Sequence, residues 1–177
     1  MVLPELPVLT DQPEHHQNYC ASLSNRLLDT LSAILPHSPE GVFSIGSGTG
    51  LLEALLTQHD NTIDVLGVEV TEDVNVYLPK EKLRTVAGTW DTILDAILAD
   101  AWLFVYPREP TLMEKYLDQC GGGTVQVIVW LGPGNDWDDY RPLLQRFASK
   151  GKLEIIDDCG LAPYELLAVA KRSIGQS

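Results

Sequence analysis

Apolar positions change their spacing several times along this chain, and each change marks an element. Leu23, Leu27, Leu28, Leu31, Ile34 and Leu35 recur at three- and four-residue intervals, which predicts a helix from about Tyr19 that Pro36 ends. A short apolar run at 42–45, glycine at Gly46, Gly48 and Gly50, and an apolar-rich run at 51–56 predict a buried strand, a tight turn and a helix. Further apolar runs at 63–68, 83–86, 101–105, 125–130, 153–157 and 164–171 predict strands. Helices are predicted between them at 91–98, with Ile93, Leu94, Ile97 and Leu98 inward, at 111–119 and at 138–149. The link between the last two strands is too short for a parallel crossover, so they must pair as an antiparallel hairpin. Residues 1–17, with Pro4, Pro7 and Pro13, read as an extended arm, and 18–177 as a single α/β domain.

The glycine turn points to a ligand. Glycine takes positive φ and has no Cβ, so Gly46, Gly48 and Gly50 would let the backbone turn sharply and come close to a bound molecule. Glu69 closes the next strand about 20 residues on, placed to accept hydrogen bonds from both hydroxyls of a ribose. Together these suggest an adenosine-containing ligand. The dinucleotide fingerprint G-x-G-x-x-G would need its third glycine at Leu51, which disfavours a nicotinamide-dependent oxidoreductase.

The G-x-G-x-G form, with Ser44-Ile45 before it and Glu69 after it, resembles the motifs of class I S-adenosylmethionine-dependent methyltransferases. The resemblance implies a Rossmann-like, seven-stranded, mostly parallel sheet of order 3-2-1-4-5-7-6, with the last strand antiparallel and helices on both faces. It implies S-adenosyl-L-methionine as cofactor and S-adenosyl-L-homocysteine as product, held by Ser44, Gly46, Ser47, Gly48, Gly50 and Glu69. Thr89 and Trp90, after the third strand, are expected at the adenine ring, and the N-terminal segment in a substrate lid. In one respect the chain departs from the family, which usually has Asp or Glu at the position of Ser44 to help hold the methionine ammonium.

Composition narrows the partners. The 177 residues carry a formal charge of −13 with only 12 Lys and Arg, which argues against nucleic acid and against an acidic membrane surface. A small-molecule acceptor is the expectation, and whether two copies associate is left open. Cys20, Cys120 and Cys159 form no C-x-x-C pair and suggest reduced thiols, hence a cytoplasmic or nuclear protein. No histidine, cysteine or acid grouping has metal-ligand spacing, so no metal is expected.

Methyl transfer is an in-line displacement that mainly needs alignment, and a base only where the acceptor is protonated. Candidates for acceptor contact or catalysis are Tyr19, Tyr106 and Arg108 after the fourth strand, and Asp136 after the fifth, with His15 and His16 on the arm. Solvated arm residues for the histidines, a helix cap for Asp136 and a surface ion pair for Arg108 are the competing explanations. The alternative function, fed by Ser44 and the loop after strand four, is a methyltransferase-like partner subunit without catalysis.

Overall fold

A computed structural model of the chain describes residues 2–173; Met1 and 174–177, at the ends of the expected arm and domain, lie outside it. Its strands are β1 (Gly41–Ile45), β2 (Asp64–Glu69), β3 (Leu83–Thr85), β4 (Ala101–Val105), β5 (Val127–Pro133), β6 (Lys152–Ile156) and β7 (Glu165–Lys171). They form one sheet in the order β3-β2-β1-β4-β5-β7-β6. Strands β1 to β5 are parallel, and β7 runs antiparallel to both β5 and β6. Both the order and the closing hairpin are those expected.

Each face of the sheet has its own core. Helices α1 (Asn25–Ile34) and α2 (Leu51–His59) bury Leu27, Leu31, Leu52 and Leu56 against Val42, Leu103 and Val129. On the other side, α3 (Pro110–Cys120) and α4 (Trp137–Ala148) bury Met113, Tyr116, Tyr140 and Leu144 against Trp102, Phe104 and Trp130. The central strand β4 therefore needs apolar residues at consecutive positions, which explains its unbroken apolar run.

Helix α1 starts later than its apolar stripe suggests. Ser24 is extended, and its Oγ accepts from Leu27 N at 3.1 Å, so the cap sets the start at Asn25. Tyr19 consequently lies in a turn ahead of the helix. Glu14 and Leu23 pair as an antiparallel bridge, and Leu9 of the arm is buried in the α1 and α2 core.

A second departure concerns 91–98. Only 94–98 is helical, as a 3-10 turn, and Leu94 and Leu98 are 71% and 73% exposed instead of inward. The reason lies in the backbone. Trp102 Nε1 donates to Ala96 O at 3.0 Å, and Thr124 N donates to Ile97 O at 2.9 Å, so this turn offers the core its carbonyls and leaves its side chains outside. Among the described residues, no helix is long and apolar enough to cross a membrane.

Candidate functional site

The sheet order reverses between β1 and β4, and beyond their carboxyl ends lies a cleft of about 260 Å³. The glycine turn forms its floor. Gly46, Gly48 and Gly50 have φ of +75°, +58° and +76°, and N–H groups of Gly46 and Ser47 donate to Val68 O at 2.9 and 3.2 Å. A Cβ placed on Gly46 or Gly48 would meet no protein atom within 4 Å, so the missing side chains leave room for something else. Gly50 is glycine for a different reason, because a Cβ there would stand 2.6 Å from Leu78 Cγ, and the residue is buried outside the cleft lining. The β2–β3 connection folds back to deliver Leu78, held by Val76 N and Tyr77 N donating to Thr49 O at 2.9 and 3.0 Å.

Glu69 stands at the end of β2 in the cleft wall. Its Oε1 accepts from Gly48 N at 2.6 Å and its Oε2 from Val70 N at 3.2 Å. An ionised carboxylate has about four acceptor directions, so two remain for incoming donors. Further along, Val68, Val70, Val86, Thr89, Trp90 and Asp91 line the cleft; Thr89 is exposed, and Trp90 is 41% exposed with its carbonyl accepting from Lys115 Nζ at 3.1 Å. The apolar valines and the ring suit a flat base.

Beneath the turn sits a buried polar pair. Ser44 does not line the cleft; its Oγ donates to Glu53 Oε1, and Glu53 is 1% exposed. Glu53 Oε2 has no partner among the described residues, and neither do the buried Ser47 Oγ and Thr49 Oγ1. Burial pushes the Glu53 carboxyl up to about 7; hydrogen bonds from Ser44 and from its own backbone N–H oppose the rise, and the nearby Glu69 charge adds to it.

The other half of the cleft is made by Asn18, Tyr19 and Cys20 from the arm and by Tyr106, Pro107, Arg108 and Glu109 after β4. Asn18 and Tyr106 have φ of +59° and +48°, a conformation that costs non-glycine residues about 1–3 kcal/mol and persists only where neighbours enforce it. For Tyr106 the enforcement is visible. Its N donates to Leu131 O at 2.7 Å, and its hydroxyl donates to Glu165 Oε1 at 2.7 Å. Burial, then the Glu165 bond, pushes the Tyr106 phenol above its ordinary range. Burial does the same to Tyr19, with the Glu53 charge adding to it. Glu165 also accepts from Ser22 N at 2.9 Å, from Ser22 Oγ and from Ala162 N at 3.2 Å, so one carboxylate fastens arm, β4 and β7 together.

Tyr19, Tyr106 and Arg108 are thus brought together, with Arg108 exposed, while Asp136 lies outside the cleft in the 3-10 turn before α4, where its side chain makes no capping bond. His15 and His16 are also outside it: His15 stacks on Tyr164 and hydrogen-bonds to its hydroxyl, and His16 Nε2 is buried without a partner among the described residues. Sequence reasoning passed over Glu53 and Glu165. Both signals are there in the sequence as a lone acid inside an apolar run, Leu51-Leu52-Glu53-Ala54-Leu55-Leu56 and Tyr164-Glu165-Leu166-Leu167.

No protein-family model matches the sequence, and no curated protein does. Solved structures do match. The precorrin-6y C5,15-methyltransferase of Geobacter metallireducens GS-15 superposes with a TM-score of 0.64 over 97% of this chain and 100% of its own, at 9% identity. The plantazolicin methyltransferase BpumL, solved with a desmethyl-plantazolicin analogue and S-adenosylhomocysteine, gives 0.56 over 84% of each chain at 13% identity. This chain has the class I methyltransferase fold.

A third structure of the same fold, the small RNA methyltransferase HEN1, gives a TM-score of 0.58 over 92% of this chain and 27% of its own, at 12% identity. It overturns the expectation that nucleic acid is excluded as a partner. A charge of −13 is a sum over the whole surface, whereas contact with a phosphate chain depends on the field at one face, and the class I fold evidently carries RNA chemistry too.

Proposed function

We propose that this protein binds S-adenosylmethionine along the glycine turn and transfers its methyl group to a small-molecule acceptor held between the arm and the loop after β4. The observation that carries this reading is Glu69. It is fixed to the turn through Gly48 N and keeps two acceptor directions free at the cleft, which suits a pair of ribose hydroxyls. The empty space over Gly46 and Gly48 suits a ligand lying against backbone, and Val68, Val86 and Trp90 suit the adenine. The cofactor would supply an electrophilic methyl. The chain's own contribution is alignment and exclusion of water, with Tyr19 and Tyr106 as walls and Arg108 at the rim.

Neither tyrosine is a base in this arrangement, since both phenols hold their protons more firmly than free tyrosine does. An acceptor that is already nucleophilic is therefore favoured. Calorimetry with S-adenosylmethionine, S-adenosylhomocysteine and nicotinamide nucleotides tests the cofactor, and binding of the last alone would refute it. Glu69→Ala should weaken S-adenosylmethionine binding about tenfold to a hundredfold, the worth of hydrogen bonds to a charged group. Turnover over a panel of small amines, thiols and carboxylates with RNA alongside tests the acceptor; methylation of RNA alone would overturn the small-molecule part.

A further inference from the structure

Resting on the S-adenosylmethionine reading, the acceptor half of the cleft carries information about the molecule it takes. Its walls are mostly aromatic or apolar, from Tyr19 on the arm, Tyr106 and Pro107 after β4, and Leu112 on α3. Arg108 is the one cation among the described residues that line the cleft. The chain has 25 acids, and Arg26, Arg141, Arg146, Lys80, Lys82 and Lys152 each find a carboxylate. Among the described residues Arg108 pairs with none, although Glu109 follows it directly. Glu109 is extended, with φ −147° and ψ 147°, and side chains of neighbouring residues on extended backbone point to opposite sides.

The loop that presents Arg108 is held from two directions. Tyr106, at φ +48°, donates from its N to Leu131 O and from its hydroxyl to Glu165 Oε1, each at 2.7 Å, while Pro107 O accepts from Tyr140 Oη at 2.9 Å. The backbone before the cation is therefore fixed at the cleft, in a strained conformation of the kind kept at ligand clamps. We infer that Arg108 determines acceptor specificity, and that the acceptor is a small aromatic molecule bearing one carboxylate, which the guanidinium holds while the ring rests against Tyr19 and Tyr106. A guanidinium is a flat fork of donors that the two oxygens of a carboxylate match in pairs. A phosphate monoester would fit the fork too, but it carries nearly two charges, and Glu69, Asp91 and Glu109 line the same cleft. The carboxylate is a handle and not the methylated group, because oxygens that accept from a guanidinium are weakened as nucleophiles. Another atom on the ring supplies the electron pair that forms the bond to the methyl carbon, as the bond from methyl to sulfonium breaks and its electron pair stays on sulfur.

The probes are 2-mercaptobenzoate, 2-mercaptobenzamide and thiophenol, offered as thiolates with S-adenosylmethionine and followed by the S-adenosylhomocysteine formed. The benzoate should exceed the amide in kcat/KM by about tenfold or more, chiefly through KM, and thiophenol should resemble the amide. Arg108→Gln should abolish this preference, and Arg108→Lys should restore part of it. Benzoate should inhibit more strongly than phenyl phosphate. Should no thiol be turned over, the same comparisons are read as binding to the protein loaded with S-adenosylhomocysteine, by calorimetry. Equal handling of the benzoate and the amide, stronger inhibition by phenyl phosphate, or a preference that persists in Arg108→Gln would overturn the inference and leave the cofactor reading standing. So would weaker S-adenosylhomocysteine binding in Arg108→Gln, which would give the guanidinium to the cofactor's own carboxylate. Failure of S-adenosylmethionine and S-adenosylhomocysteine to bind the wild type would overturn both.

Discussion

The ionisation of the buried Glu53 bears on the stability of the fold. Its carboxyl ionises at about 7 in the folded protein against 4.5 ordinarily, so between these values the folded state holds more proton than the unfolded chain. Stability without ligand must therefore fall as pH rises through that window, by about 3 kcal/mol in total, and level off above it. Glu53→Gln should remove this slope, which urea unfolding at pH 4.5, 6 and 7.5 will read. Asp60 acts in the opposite direction. Hydrogen bonds from Ser32 and Thr62 lower it from 3.8 to about 2, so its contribution is present above that range and is lost as pH falls through it. Single residues also mark where sequence reasoning stopped. The positions of Gly46, Gly48 and Glu69 in the cleft follow from local chemistry, because a turn of this shape accepts little else. The partnership of Ser44 with Glu53 joins a strand to a helix and left no mark beyond one acid among leucines.

The elements divide in the same way. Strands and main helices were legible because each has one apolar period and a clear stop. The segment 94–98 was not, since its spacing matches a helix face while its backbone carbonyls satisfy Trp102 and Thr124. Replacing Leu94 and Leu98 with serine should therefore shift stability by no more than about 0.5 kcal/mol, where Met113→Ala in α3 should cost about 2–5 kcal/mol. Urea titration of the two variants makes the comparison, and a large loss from the serines would restore the inward helix. The arm behaves as an element too, although it has little regular structure. Glu165→Ala strips the acceptor from four donors at once and should cost about 3 kcal/mol. Limited proteolysis should then cut residues 10–22 faster than in wild type, while cuts elsewhere keep their rates.

At the scale of the molecule, two cores clamp one sheet, and the charge of −13 surrounds them. Such a field favours a cation approaching the cleft, and salt screens it over about 8–10 Å at ordinary ionic strength. Raising salt from about 50 to about 500 mM, a range over which screening changes, should weaken S-adenosylmethionine, which bears one more positive charge, more than S-adenosylhomocysteine. Calorimetry at the two concentrations gives the ratio, and equal weakening would mean that the global field does not reach the site. The Glu165 knot has one more consequence, in time. As the ribosome spells out the chain, the floor and the wall beside Glu69 have emerged by residue 91, yet the opposite wall waits for residue 165. The wall on the acceptor side therefore cannot be fastened until the start of β7, the seventh strand in chain order, has been made.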